Sequence, residues 1–245
     1  AWTYAPNEHF NGPDAFTVTV TDDDGHEETQ VINLTVDPDN DDPTLDALSD
    51  ININEDAGEQ TVDLTGIAAG GGETQVLEIT AESDNTNLIL TPAVFYGNGD
   101  SGTLAFTPVA DRFGTATITV TVEDGGLDNN LATPGDNATV VRTFTVNVAE
   151  VNDVPTLDAL SDVNINEDAG EQTVNLTGIA TGGSEVQQLR VTATSDNTGL
   201  IPDPTVTYSS ADSTGTLTFT PVANQNGTAT ITVTVEDGGL DNNLE

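Results

Sequence analysis

Oxygen donors crowd two short stretches of this 245-residue chain, Asp37-Pro38-Asp39-Asn40-Asp41-Asp42-Pro43 and Glu150-Val151-Asn152-Asp153-Val154-Pro155. Carboxylates and carboxamides so spaced suit the coordination of a hard cation, and calcium takes six to eight such oxygens in a tolerant geometry. Further acids stand in segments that read as turns: Glu55, Asp56, Asp84, Asp100, Asp111, Asp124 and Asp128, then Asp237 and Asp241. Asp22-Asp23-Asp24-Gly25 is either another ligand loop or a polar hairpin turn. Asp37-x-Asp39-x-Asp41 begins like an EF-hand loop. It has Asp42 where that loop needs Gly and Leu48 where it needs Glu, so an EF-hand is not expected.

Other chemistry is poorly provided for. Cys is absent, which removes disulfides, thiolate nucleophiles and thiolate metal sites. His9 and His26 have no Ser or Cys placed beside them by any motif, and both read as surface histidines. Paired acids can hydrolyse glycosides, but nothing here separates such a pair from cation ligands. The chain therefore reads as non-catalytic.

Charge narrows the partners. Three Lys+Arg stand against 42 Asp+Glu, a formal charge of −39. Such a surface repels phosphate backbones and anionic headgroups, so neither nucleic acid nor a membrane surface is expected as a partner. Acidity without Lys also suits a saline habitat. No apolar run approaches the ~18 residues of a membrane span. No basic-apolar leader opens the stretch, so an export signal is expected outside it or not at all.

The acids are placed by a repeat. PTLDALSDININEDAGEQTVDLTGIA, from Pro43, returns almost unchanged 112 residues later, from Pro155. TYAPNEHFNGPDAFTVTVTDDDG parallels AFTPVADRFGTATITVTVEDGG, and VINLTVDPDNDDP parallels TFTVNVAEVNDVP. Three segments follow: 1–42, the end of one repeat; 43–154, a complete repeat; and 155–245, a repeat without its last strand. Glu245 matches nothing in the earlier copy. Trp2 and Tyr4 read as strand or core residues rather than a sugar platform.

Within the repeat, apolar and polar residues alternate strictly, as in Thr117-Ile118-Thr119-Val120-Thr121-Val122. Seven strands are expected, near 45–53, 60–65, 76–82, 88–95, 102–107, 115–123 and 138–148, which predicts an all-β, immunoglobulin-like antiparallel sandwich. Strand order then puts Glu55, Asp56, Asp84 and Asp111 at one pole, and Asp100, Asp124 and Asp128 at the other. Each pole meets a linker. Gly70-Gly71-Gly72 reads as a plain loop.

The TITVTV strand, Asp-Gly-Gly turn, TFTVNV strand and EVNDVP linker resemble the close of the cadherin repeat, and Glu55 resembles its acidic residue after the first strand. The amino-terminal WTYAPNEHFNGPDAFTVTVTDDDG resembles repeats of giant bacterial surface adhesins. That resemblance implies tandem sandwiches joined by calcium-binding acidic linkers, on the outside of a bacterial cell. The expected ligands are Asp37, Asp39, Asn40, Asp41, Glu55, Asp56, Asp111, Asp124, Asp128, Glu150, Asn152, Asp153, Asp237 and Asp241.

Two functions remain open on the sequence. One is a calcium-rigidified extender whose partners are its neighbouring repeats, with surface glycans or other cells met through other domains. The other is a carbohydrate-binding module, against which a 4% aromatic content weighs. Calcium-dependent rod-like scattering would favour the first, and glycan-array binding the second. At the ends, either strands are exchanged between molecules, or the segment belongs to a longer chain and its ends fray.

Overall fold

The structure, a computed structural model, describes residues 3–244, so Trp2 and Glu245 lie outside the described residues. Every regular element among the described residues is a β-strand. No helix among them is long and apolar enough to cross a membrane. The chain divides into two compact units, one of residues 1–53, 57–109 and 115–147, the other of residues 54–56, 110–114 and 148–245.

In the first unit, β1 (Gly12–Thr21) and β2 (Glu27–Val36) form a two-stranded antiparallel sheet in which Phe16 faces Ile32. Asp22 closes the hairpin: its carboxylate accepts the Asp24 and His26 amides at 3.0 and 2.8 Å. The Asp22–Gly25 segment is therefore a turn, with Gly25 supplying the left-handed residue (φ 83°).

Seven strands follow: β3 (Ile51–Asn54), β4 (Gln60–Thr65), β5 (Leu77–Ser83), β6 (Ala93–Tyr96), β7 (Ser101–Phe106), β8 (Gly114–Asp124) and β9 (Thr139–Ala149). They make a four-stranded sheet, β3-β9-β8-β5, and a three-stranded sheet, β4-β7-β6. Alternation makes the core, since successive side chains take opposite faces. Ile118, Val120 and Val122 of β8 and Val146 of β9 are fully buried, as are Leu64 and Leu104 in the other sheet. This is the immunoglobulin-like sandwich expected from the sequence.

Two expected strands are shorter than the alternation implied. Near 45–53, the Thr44 amide bonds the Ala68 carbonyl and the Asp46 amide the Thr65 carbonyl, while β3 pairs with β9. The segment changes sheets, and the ladder breaks between. Near 88–95, the Leu88 and Ile89 amides turn back onto the Asn85 carbonyl, and Pro92 withholds a donor before β6 begins.

The second unit contains β10 (Gln172–Thr177), β11 (Leu189–Ser195), β12 (Thr205–Thr207), β13 (Thr214–Phe219) and β14 (Ile231–Asp237). They pair as β10-β13-β12 and β11-β14. Leu176, Ile179, Leu189, Val191 and Leu217 form the buried centre, with Phe219, Ile231 and Val233 packed against it partly exposed.

Candidate metal centre

Five carboxylates converge in the second unit. Ligand atoms of Glu55, Asp153 and Glu185 lie within 4.8 Å of one another, and so do those of Asp56, Asp111 and Asp153. Asp153 belongs to both groups.

Each is held by backbone. Glu55 follows β3; its amide bonds the Ala149 carbonyl at 2.8 Å, and its Oε1 accepts the Val151 amide at 2.7 Å. Asp56 and Asp111 both adopt left-handed backbone, φ 59° and 55°, and the Asp56 carboxylate accepts the Asp111 amide at 3.0 Å. Asp153 donates its amide to Glu185 Oε1 at 2.9 Å. A Cβ on Gly183 would collide with the Asp153 carboxylate, so the missing side chain makes room for it. The Ser184 hydroxyl donates to the Asp111 carbonyl.

These bonds leave one oxygen unpartnered on each of Glu55, Asp153 and Glu185, although all three atoms are buried. Glu55 and Glu185 are only 3% and 7% exposed. Leaving a buried charged acceptor unmatched is costly. None of the ion pairs among the described residues involves these acids. Burial raises the Asp153 pKa, and the Asp111 and Asp56 charges add to it. Burial likewise raises Glu185, partly offset by the Asp153 amide and reinforced by Asp153, Glu55 and Glu150. Oxygen donors only, short of positive charge and with lone pairs free, fit calcium better than a soft transition metal.

A framework of carboxamides stands beside these acids. Asn152 donates to Asp237 at 3.2 Å and accepts from Gln187 at 2.7 Å. The first unit repeats the arrangement. Asn40 donates to Asp124 at 3.1 Å and accepts from Gln75 at 2.7 Å, and the Asp41 amide reaches Glu73 at 3.4 Å. Asp124 is fully buried, with Oδ1 accepting the Gly126 and Ala138 amides and Oδ2 unpartnered. Here His9 Nδ1 lies 2.9 Å from Asp41.

The other expected ligands stand apart. Asp37 and Asp39 are exposed and join neither carboxylate group. Asp128 accepts the Thr133 hydroxyl at 2.6 Å, and Asp241 the Asn243 amide at 3.3 Å, each within its own turn. Asp84, expected at the same pole as Glu55 though not as a ligand, accepts the Thr117 amide at 2.7 Å. Glu150 is exposed and acts on the site through its charge on Glu185. Sequence reasoning missed Glu73, Gln75, Glu185 and Gln187. Their signal was Gly-Gly-x-Glu-x-Gln at 70–75 and again at 182–187. The first of those glycine runs is no plain loop, because a Cβ on Gly71 would strike the Asp41 carboxylate.

Residues 1–35 match the family model described as a bacterial Ig domain. No curated protein matches the sequence. Among solved structures, domains 4–9 of surface layer protein SbsC are 17% identical with a TM-score of 0.32, covering 93% of this chain and 35% of that one. Domains 4 and 5 of the same S-layer protein are 17% identical with a TM-score of 0.30, covering 54% and 65%. The titin domains z1z2 in complex with telethonin are 10% identical with a TM-score of 0.31, covering 80% and 94%. The chain thus spans less than two thirds of either S-layer chain. What stands is an all-β, immunoglobulin-like chain whose first 35 residues match a bacterial Ig domain.

Proposed function

We propose that the chain is a non-catalytic run of immunoglobulin-like repeats on a bacterial surface, whose acidic linkers bind calcium, serving as an extender within a large adhesin. The observation that carries this reading is that Glu55, Asp153 and Glu185 each keep a buried, unpartnered oxygen and bring ligand atoms within 4.8 Å of one another. An ion among them would cancel their mutual repulsion and tie the end of β3 to the linker and to the loop before β11. A linker so tied flexes less, and the function would be reach. The bacterial Ig match at 1–35 supports the setting.

Melting in calcium and in chelator tests it. Extracellular calcium modules bind at ~10⁻⁴–10⁻³ M. One site at a hundredfold excess over its dissociation constant adds about 2.7 kcal/mol. The melting temperature is expected to rise with calcium at moderate salt, and far less with magnesium, which sheds its waters reluctantly. Identical melting in calcium and chelator would refute calcium binding.

A further inference from the structure

Asparagine is a thermolabile residue. Its carboxamide is lost when the main-chain nitrogen of the next residue attacks it, and a following Gly, without a Cβ and with a mobile backbone, hinders that attack least. Three Asn-Gly pairs occur, Asn11-Gly12, Asn98-Gly99 and Asn226-Gly227. The fold treats them unequally. Gly12 opens β1 opposite Val36, so the ladder holds it. Asn226 follows two tethered residues: the Asn224 amide donates to the Asp168 carboxylate at 2.8 Å, and the Gln225 amide to the Val222 carbonyl at 3.3 Å.

Asn98 stands at the tip of the turn between β6 and β7, with Gly97 before it and Gly99 after it, and residues 97–100 are all exposed. Among the described residues, no hydrogen bond engages its carboxamide or the main-chain amides of residues 97–99. The Tyr96 hydroxyl donates to the Gly99 carbonyl at 3.0 Å, which leaves the Gly99 nitrogen free. The turn does not depend on this pair. Its counterpart between β12 and β13 contains Ser209-Ser210-Ala211-Asp212, with neither Asn nor Gly.

We propose that Asn98 is a site of spontaneous conversion to aspartate and isoaspartate in the folded protein. The Gly99 nitrogen gives up its proton to solvent base and attacks Asn98 Cγ. The new N–Cγ bond closes a cyclic imide, the Cγ–Nδ2 bond breaks, and Nδ2 takes up a proton and leaves as ammonia. Water then opens the ring. Attack at Cγ yields aspartate, and attack at the main-chain carbonyl carbon yields isoaspartate. One water is consumed and one ammonia released. Either product adds a carboxylate near Asp100. Isoaspartate also routes the main chain through the former side chain, lengthening the turn that ties the edge strand β6 to its sheet.

Ageing the whole chain at neutral and mildly alkaline pH, folded and in denaturant, tests this. Cleavage after glutamate releases residues 83–123, in which mass spectrometry follows Asn98 and separates the two isomers. Asn98 is expected to convert about as fast folded as unfolded, faster at the higher pH, with isoaspartate in excess. Asn11 and Asn226 are expected to convert several-fold more slowly folded than unfolded. Gly99→Ala is the structural control. Gly99 is not left-handed, and the nearest atom to a Cβ there is the Ser101 nitrogen at 3.9 Å, so the turn accommodates it. That variant is expected to melt like the wild type and to convert several-fold more slowly. Asn98 protected several-fold by folding overturns the proposal. So does conversion without isoaspartate, or a rate that Gly99→Ala leaves unchanged.

Discussion

His9 stands against Asp41 as Asp111 stands against Asp153. Both His9 and Asp111 follow a Pro by three residues, Pro6 and Pro108, and both adopt left-handed backbone, φ 60° and 55°. Asp111 brings a carboxylate to a group that shares Asp153 with a second group. His9 brings a ring nitrogen 2.9 Å from Asp41. The two linkers are built alike and furnished differently.

The first prediction follows from that difference. Replacing a carboxylate by imidazole removes a hard oxygen ligand, so calcium is expected to bind the first linker more weakly than the second. His9→Asp should restore the ligand and tighten the weaker phase of a calcium titration by about tenfold, roughly 1.4 kcal/mol. An unchanged titration would show that residue 9 takes no part in binding.

Removing one buried acid separates repulsion from coordination. Without calcium, Glu185→Gln deletes one of several crowded charges and should leave the melting temperature level or higher. With calcium, the variant should lose most of the stabilisation the wild type gains. Melting each protein in chelator and in calcium checks both signs. A variant stabilised by calcium as much as the wild type would remove Glu185 from the site.

Acidity bears on the ion-free chain in a defined direction. Asp153 and Glu185 are raised above their ordinary 3.8 and 4.5, chiefly by burial. The folded chain therefore holds more protons than the unfolded one between those values and the raised ones. Stability in chelator should fall as pH rises through that window. Calcium requires the ionised forms, so it should offset the fall and release protons on binding. Denaturant melts at stepped pH check this; stability that rises with pH through the window in chelator would contradict it.

Gly183 offers a steric test. Its backbone is not left-handed, so Ala is tolerable there except that the new Cβ meets the Asp153 carboxylate. Gly183→Ala should weaken calcium binding by about tenfold or more, while the chelator melting temperature changes little. Equal calcium affinity would mean that the Asp153 seat is not needed.

Local pattern carried most of the fold. The Thr-Ile-Thr-Val-Thr-Val alternation of β8 puts Ile118, Val120 and Val122 inside, where burial is complete. Alternation does not report where a strand changes sheets, so the break between Thr44 and β3 was not visible. The site was legible in part. Glu55, Asp56, Asp111 and Asp153 follow from strand order, because loops at one pole must converge there. Glu185 and Glu73 lie in glycine-rich loops whose path depends on how closely Gly183 and Gly71 approach Asp153 and Asp41. Asp37 and Asp39 show what a linker's composition leaves out: whether the backbone turns an acid inward, and both are exposed and outside the two carboxylate groups.

Calorimetric titration with calcium, comparing the wild type with Glu185→Gln at low and at about 0.5 M salt, bears most directly on the central claim. A chain of −39 attracts cations diffusely, and diffuse attraction is screened by salt. Coordination by buried carboxylates predicts saturable binding near ~10⁻⁴–10⁻³ M that persists at high salt and loses at least one site in the variant. Heats that vanish at high salt and are the same in both proteins would contradict it.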